Sequence, residues 1–381
     1  MARIKQFDIF AVDLPFRKVF EHAAAKRESS DSLFLKCVLD SGTVGFGECL
    51  PRKYVTGETR ESAFTMLTEE ILPKLINKEF DDLGDVKSFL YACDGKAPSD
   101  WIAPNIPQTA AWCAIDLVLL DTYSRQFKMP LFSSENYVNL KKARYSAVIS
   151  SGKSFNSLLK IRLYGISQVK LKVERSTSVE TVKRVRKILG NRCDIRIDAN
   201  MAWEKDQTLA LMKEFSHYGI RYVEQPLPVE QIDDAADLVR GSDFTIMADE
   251  SLSDRDSLNQ LIAKKACSAI NARISKCGGL TATMKRCQEA KSAGMTVQIG
   301  CQVGESSLLS AAHLLLTSQF PKVKYLEGCF GLLLLKEDPA KPILQFGYGG
   351  RPPRIPTDLG LGITIDEEIL KRWTTQSTTI Q

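Results

Sequence analysis

From residue 144 onward, short apolar runs alternate with longer segments whose apolar residues recur every three or four positions. That alternation predicts strand–helix units around a parallel sheet. The runs fall at about 144–149, 169–173, 220–223, 244–248, 268–274 and 295–300, with another ending at Ile197-Asp198. Helical spacing covers about 178–189, 204–218, 230–240, 254–265, 280–293 and 305–318. Ser178 opens the first of these helices with Glu180 close behind, Val182, Val185 and Leu189 share one face, and Gly190 closes it. The strands are short and apolar, as parallel strands buried on both faces should be. The pattern predicts a (β/α) barrel of seven or eight units. No glycine-rich phosphate fingerprint follows a strand, which disfavours a nucleotide-binding sheet.

The first part of the chain has a different rhythm. Residues 4–13 alternate, 33–39 form a second strand, and a tight turn at 40–43 leads into 44–49, an antiparallel meander. Helical spacing follows at about 60–77, 84–93 and 107–127, with polar loops expected at 17–30 and 50–59. Strands followed by helices make 1–130 a small α+β domain. The strand–helix domain then spans 131–339. The loop-rich segment 340–381 is expected to return to the first domain, with a mobile tail at 374–381.

The barrel runs share one further feature. Lys172, Asp198, Glu224, Asp249 and Lys276 recur at steps of 25 to 27 residues, each at the end of an apolar run. A polar group at the C-terminal end of each successive strand is where a barrel builds its site. Lys170 and Lys172 stand two apart, on one strand face, which in a closed barrel is the interior. Asp198, Glu224 and Asp249 would repel one another unless a cation sat among them. With no His or Cys beside them the donors are all oxygen, which favours Mg²⁺, or Mn²⁺ in its place, over zinc. Three unrelated acids at strand ends are the bland alternative, and their even placement argues against it. An interior lysine beside a metal and other cations is expected to have a lowered pKa and to act as a base, with Lys276 doing the same from across the barrel. A metal on a carboxylate and an amine beside the α-carbon point to removal of a weakly acidic α-proton, with the developing enediolate stabilised by the cation.

Composition adds exclusions. The chain has 381 residues, 44% hydrophobic and 25% charged, with a formal charge of +5. Charges are interspersed, so nucleic acid is not an expected partner, and no apolar run is long enough to span a bilayer. The N-terminus lacks the apolar core of a signal peptide. The ten cysteines show no Cys-x-x-Cys spacing, which argues for free buried thiols in a reducing cytoplasm and against structural zinc.

The ordered set Lys170-Leu-Lys172, Asp198-Ala-Asn200, Glu224-Gln-Pro226, Ala248-Asp-Glu-Ser251 and Lys276-Cys-Gly-Gly279 resembles the muconate-lactonizing (muconate cycloisomerase) subgroup of the enolase superfamily, over nearly the whole chain. Gly45-Phe-Gly-Glu48 and Ala114-Ile-Asp116 fit the same family. The resemblance implies an N-terminal α+β capping domain on a modified TIM barrel, (β/α)₇β. It implies Mg²⁺ on Asp198, Glu224 and Asp249, no organic cofactor, and Lys172 and Lys276 as acid/base groups flanking a small carboxylate substrate. Lys170 would hold the carboxylate and depress the pKa of Lys172, with Asn200 and Glu250 standing behind the ligands. The loops at 17–30 and 50–59 would close over the substrate, so Lys26, Arg27 and Tyr54 become candidate substrate contacts. Homo-oligomers are the family tendency.

A muconate-cycloisomerase-type isomerase or lyase is the leading expectation. The same machinery would serve a dipeptide epimerase, an N-acylamino acid racemase or an o-succinylbenzoate synthase. Dipeptide epimerases carry an Asp-x-Asp pair near the last barrel strand; here that region reads Tyr325-Leu-Glu-Gly-Cys-Phe-Gly331, with Glu327 alone. Val55-Thr-Gly-Glu-Thr59 and Lys336-Glu-Asp-Pro339 nevertheless look epimerase-like. Glu305 is either a second acid facing the pocket or a helix-start carboxylate. A non-catalytic barrel retained for binding is disfavoured because all five key positions are filled. A metal-dependent aldolase would not explain the paired lysines or the preceding α+β domain.

Overall fold

The computed structural model describes residues 1–22, 25–150, 152, 155–355 and 359–381, and the side chains of all these except 20–22, 25 and 26. Eight parallel strands follow one another in chain order: Ala147–Ser150, Gln168–Lys172, Asp194–Asp198, Tyr222–Glu224, Thr245–Ala248, Ala269–Arg273, Thr296–Gly300 and Tyr325–Leu326. Tyr145 bridges Leu326 in parallel, and the Ser146 amide donates to the Leu326 carbonyl at 2.8 Å, so the two ends of the sheet meet. Helices such as Val179–Leu189, Leu280–Ser292 and Ser307–Ser318 return the chain between strands. This is the modified TIM barrel with an N-terminal α+β cap that the periodicity and the family motifs predict. Among the described residues no helix is long and apolar enough to cross a membrane.

The cap is an antiparallel sheet in the order Thr374–Ile380, Ala2–Val12, Ser32–Leu39, Val44–Cys49. Helix Thr109–Phe127 packs on its face and is buried on every side along 109–124, as a helix apolar all round must be. The expected helix at 60–77 changes pitch: the Leu72 amide reaches back to the Leu67 carbonyl, a wider π-type turn, immediately before Pro73, which has no amide to donate.

Two expectations for irregular chain are corrected. The tail is a strand: Thr374–Ile380 pairs antiparallel with the first strand, from Phe7↔Ile380 to Val12↔Thr374. Its threonines and terminal isoleucine suit an edge strand, and the ladder ties down what would otherwise fray. The polar segment 17–30 contains a hairpin, Pro15–His22 with Ala25–Ser29. It also docks on the barrel. The Arg17 amide donates to the Leu334 carbonyl and the Lys336 amide to the Pro15 carbonyl, both at 2.8 Å. Buried Arg52 holds the base of this lid, donating to the carbonyls of Ser30 at 2.7 Å and Val303 at 2.9 Å.

Buried carboxylates at helix starts join cap to barrel. Asp116, on the cap helix, accepts from the amides of Leu280 at 2.7 Å and Thr281 at 3.3 Å. Glu48, on a cap strand, accepts from Ser306 at 3.1 Å and Leu309 at 3.4 Å. Unsatisfied amides at a helix N-terminus are natural partners for anions.

Candidate active site

The site is built where barrel strands end. Lys170 pairs with Arg196 and Lys172 with Asp198 across the second and third strands. Glu224 then pairs with Asp198 across the third and fourth, and with Met247 across the fourth and fifth. This register sets Lys172, Asp198 and Glu224 side by side at one barrel mouth, with Asp249 just past the end of the next strand. Asp198, Glu224 and Asp249 are all fully buried, and so is Lys276. The strand ends turn sharply. Gln225 has φ of +36°, and its side-chain oxygen holds the turn by accepting from the amides of Asp249 at 2.9 Å and Ser251 at 3.1 Å. Strain of this kind persists where the surroundings over-determine it.

Each buried carboxylate faces cations. Lys170 Nζ lies 3.2 Å from Asp198 Oδ2, 3.1 Å from Glu224 Oε1 and 2.9 Å from Glu327 Oε1. Burial works against its charge, but Glu224, Glu327 and Asp198 outweigh it and hold Lys170 above the usual lysine range. A lowered pKa for this interior lysine is therefore not what the structure gives: three anions surround it. Glu224 is held down to about 2, because Lys170, Arg196 and Arg273 overcome the effect of its burial. It also accepts from Asn271 at 2.7 Å. Asp249 is shared by Arg273 and by Lys276, whose Nζ stands 2.8 Å from Oδ1. Lys276 donates further to the carbonyls of Asp249 and Asn271. Burial, then Arg273, pushes Lys276 down to about 7. Lys172 is the more open amine, 3.4 Å from Asn200 Oδ1 and 3.8 Å from Asp198 Oδ2. Asn200 in turn donates to Glu250 at 3.3 Å.

The donor set suits a hard divalent ion: three oxygen-bearing side chains from consecutive strand ends, with Asp198 Oδ2 buried and lacking a hydrogen bond. In this structure their oxygens are turned onto Lys170, Arg273 and Lys276. Among the described residues no three carboxylate, histidine or cysteine groups converge on one point.

A cavity of about 480 Å³ opens over the site. Lys170, Lys172, Asn200, Glu250, Arg273 and Glu327 line its floor, and Tyr54 lines it from the cap. Arg27 is turned onto Asp31 and is not among the lining residues. The Lys26 side chain lies outside the described residues. Glu305 is buried beneath the wall, accepting from the Gln302 amide at 2.6 Å and standing 3.3 Å from His313 Nε2. Glu327 faces the cavity but is already held by Lys170 and Arg196.

Arg196, Asn271, Arg273 and Gln298 complete the site and were not singled out by sequence reasoning. The signal was present. Arg196 stands two residues before Asp198, and Asn271 and Arg273 are two apart, so a period of two aims them at the same interior.

A family model described as enolase C-terminal domain-like matches residues 157–369. The chain is 26% identical over 380 residues to the N-succinyl-L-Arg/Lys racemase of Bacillus cereus, covering 98% of each. The crystal structure of N-succinyl Arg/Lys racemase from that organism superposes with a TM-score of 0.85 at 25% identity, covering all of both chains. A dipeptide epimerase from Cytophaga hutchinsonii, solved as a complex with Mg and the dipeptide D-Ala-L-Val, superposes with a TM-score of 0.83 at 22% identity, again covering all of both chains.

Proposed function

The chain belongs to the enolase C-terminal domain-like family, and from that premise we propose that it is a Mg²⁺-dependent racemase or epimerase acting at the carbon next to a carboxylate, in an N-acylated amino acid or a dipeptide. It is an enzyme of the isomerase type. The racemase and epimerase relatives favour this reaction over the cycloisomerisation that the motifs alone put first. The observation that carries the proposal is the register of buried charge: Asp198, Glu224 and Asp249 at three consecutive strand ends, with Lys172 on one side and Lys276 on the other.

Asp198, Glu224 and Asp249 are the residues that would hold the ion. When bound, it supplies positive charge against the substrate carboxylate as the α-proton leaves. Lys172 Nζ, exposed to the cavity beside Asn200, removes the proton from one face. Lys276 Nζ exchanges a proton on the other. Lys170 keeps its charge and holds Asp198 and Glu224 in place. Arg273, between Asp249 and Gln302, fixes the wall against which the substrate is oriented. The ten free cysteines support a reducing compartment, and the proposal takes the protein as cytoplasmic.

The test is isotopic. With Mg²⁺ in D₂O, N-acyl amino acids, dipeptides, muconates and a succinylbenzoate precursor are incubated and followed by NMR. Deuterium should enter the α-carbon of an amino acid derivative from both stereoisomers, with the skeleton intact. Lys172→Ala and Lys276→Ala should each lower turnover by about 10²–10⁴-fold, the usual contribution of a general acid or base. Skeletal rearrangement without stereochemical exchange would refute the reaction, and exchange that survives both replacements would refute the two bases.

A further inference from the structure

The cavity changes character from floor to mouth. All its charged lining residues (Lys170, Lys172, Arg273, Glu250 and Glu327) stand at the floor, among the strand ends. The mouth is formed by Val19 from the lid hairpin and by Val303, Phe330, Leu333 and Leu334 from the loops after the seventh and eighth strands, with Tyr54 beside them. Val19 and Leu333, 49% and 51% exposed, mark the outer rim. The same segments are joined by backbone, through the Arg17 amide on the Leu334 carbonyl and the bridge between Phe16 and Leu335. Lid and eighth loop therefore present their apolar side chains as one wall.

We propose that this wall is a subsite for an uncharged, apolar group on the substrate's nitrogen, in preference to an ammonium or a second carboxylate at the same place. The inference rests on the racemase or epimerase reading for the chemistry at the floor, and on the mouth alone for the substituent. With the substrate carboxylate drawn to the cationic floor, the group on the nitrogen extends toward the mouth. An ammonium there needs an acid with coordination to spare. Glu327 already serves Lys170 at 2.9 Å and Arg196, both buried. Glu250 is bonded to Asn200 at 3.3 Å, down among the carboxylates. A carboxylate there needs a cation, and the lining cations Lys170, Lys172 and Arg273 are all at the floor. A charge left without a partner against an apolar wall loses its hydration with no return, whereas an alkyl group gains from leaving water.

Three compounds on one amino acid isolate the substituent. N-butyryl carries a terminal methyl, N-succinyl carries a carboxylate in its place, and the 2-aminobutyryl dipeptide adds one ammonium. Binding is measured calorimetrically with Mg²⁺ and the Lys172→Ala protein, which holds the compound without turnover, and α-deuterium exchange is measured with the wild type. The series is repeated on alanine, methionine, phenylalanine and lysine. The butyryl compound should bind about tenfold tighter or more than either charged analogue, the scale set by burying one unpartnered polar group. Leu333→Asp, at an exposed position that leaves the fold intact, should narrow or reverse the gap for the aminobutyryl dipeptide only. Equal or tighter binding of either charged compound by the wild-type mouth overturns the subsite, as does failure of all three to bind. Preferential binding of the butyryl compound without α-exchange supports the subsite and refutes the reaction instead.

Discussion

At the scale of single residues, the site is a problem of buried charge. Lys170, Arg196, Glu224 and Glu327 are all nearly or wholly inaccessible, and each leans on at least two of the others or on Asp198. Taken singly, none of these charges would stay ionised in a barrel interior. Together they do, because each cation has an anion within reach and Arg196 also stacks 4.2 Å over the Tyr325 ring. Removing one member strands its partners. Arg196→Met and Glu327→Gln should each destabilise the fold by about 3–5 kcal/mol, the cost of breaking a buried ion pair, and the double variant should cost clearly less than the two added together. Urea unfolding of the two single variants and the double one measures this. Additive losses would mean that Arg196 and Glu327 are not energetically coupled.

At the scale of elements, the contact between the cap helix Thr109–Phe127 and the barrel helix Leu280–Ser292 is made through one carboxylate. Asp116 reaches the start of the barrel helix only because position 279 is glycine: φ is +105°, and a Cβ there would lie 2.4 Å from Asp116 Cβ. Gly279→Ala should therefore act like loss of the carboxylate. Both Gly279→Ala and Asp116→Ala should lower stability by about 2–4 kcal/mol, through backbone strain in one case and unsatisfied helix amides in the other, as thermal or urea unfolding would register. Loss of either without a change in midpoint would remove the clip from the account. The same pair shows what was legible in the sequence. Ala114-Ile-Asp116 and Lys276-Cys-Gly-Gly279 could be matched as motifs, and the strand–helix rhythm set the barrel, because both are local in the chain. That Asp116 and Gly279 touch is not local. Neither is the pairing of Arg196 with Glu327, 131 residues away, which is why a polar residue inside an apolar run drew no notice until the barrel closed. The lid hairpin escaped for a different reason. A thin ribbon whose residues are largely polar shows no alternation by which to read it as strands.

At the scale of the whole molecule, cap and barrel are held together by acids that resist ionising. Burial pushes Glu48 up to about 8, and Glu58 and Asp116 up to about 7, each against the pull of the amides it accepts from. Glu58 sits at the start of the cap helix, on the amides of Ala110 at 2.7 Å and Ala111 at 2.9 Å. In the folded chain these groups keep a proton to higher pH than the ordinary 4.5 of a glutamate or 3.8 of an aspartate. The folded state then binds more protons than the unfolded one between those limits, so stability is greatest on the acid side and falls as pH rises through about 7 to 8. His313 has the opposite sign. Burial holds it down to about 4 from an ordinary 6.5, so its influence is confined to pH below 6.5, where folding is opposed by the proton it will not take. Between pH 6.5 and 9 the carboxyls act unopposed by it, and the melting temperature should fall across that window. Glu58→Gln keeps the shape and one acceptor while mimicking the protonated acid, so its melting temperature should fall less steeply than that of the wild type. A wild-type profile flat from 6.5 to 9, or a Glu58→Gln profile parallel to it, would mean that these helix-start acids ionise within the folded protein at ordinary cost, stabilised by the amides they face.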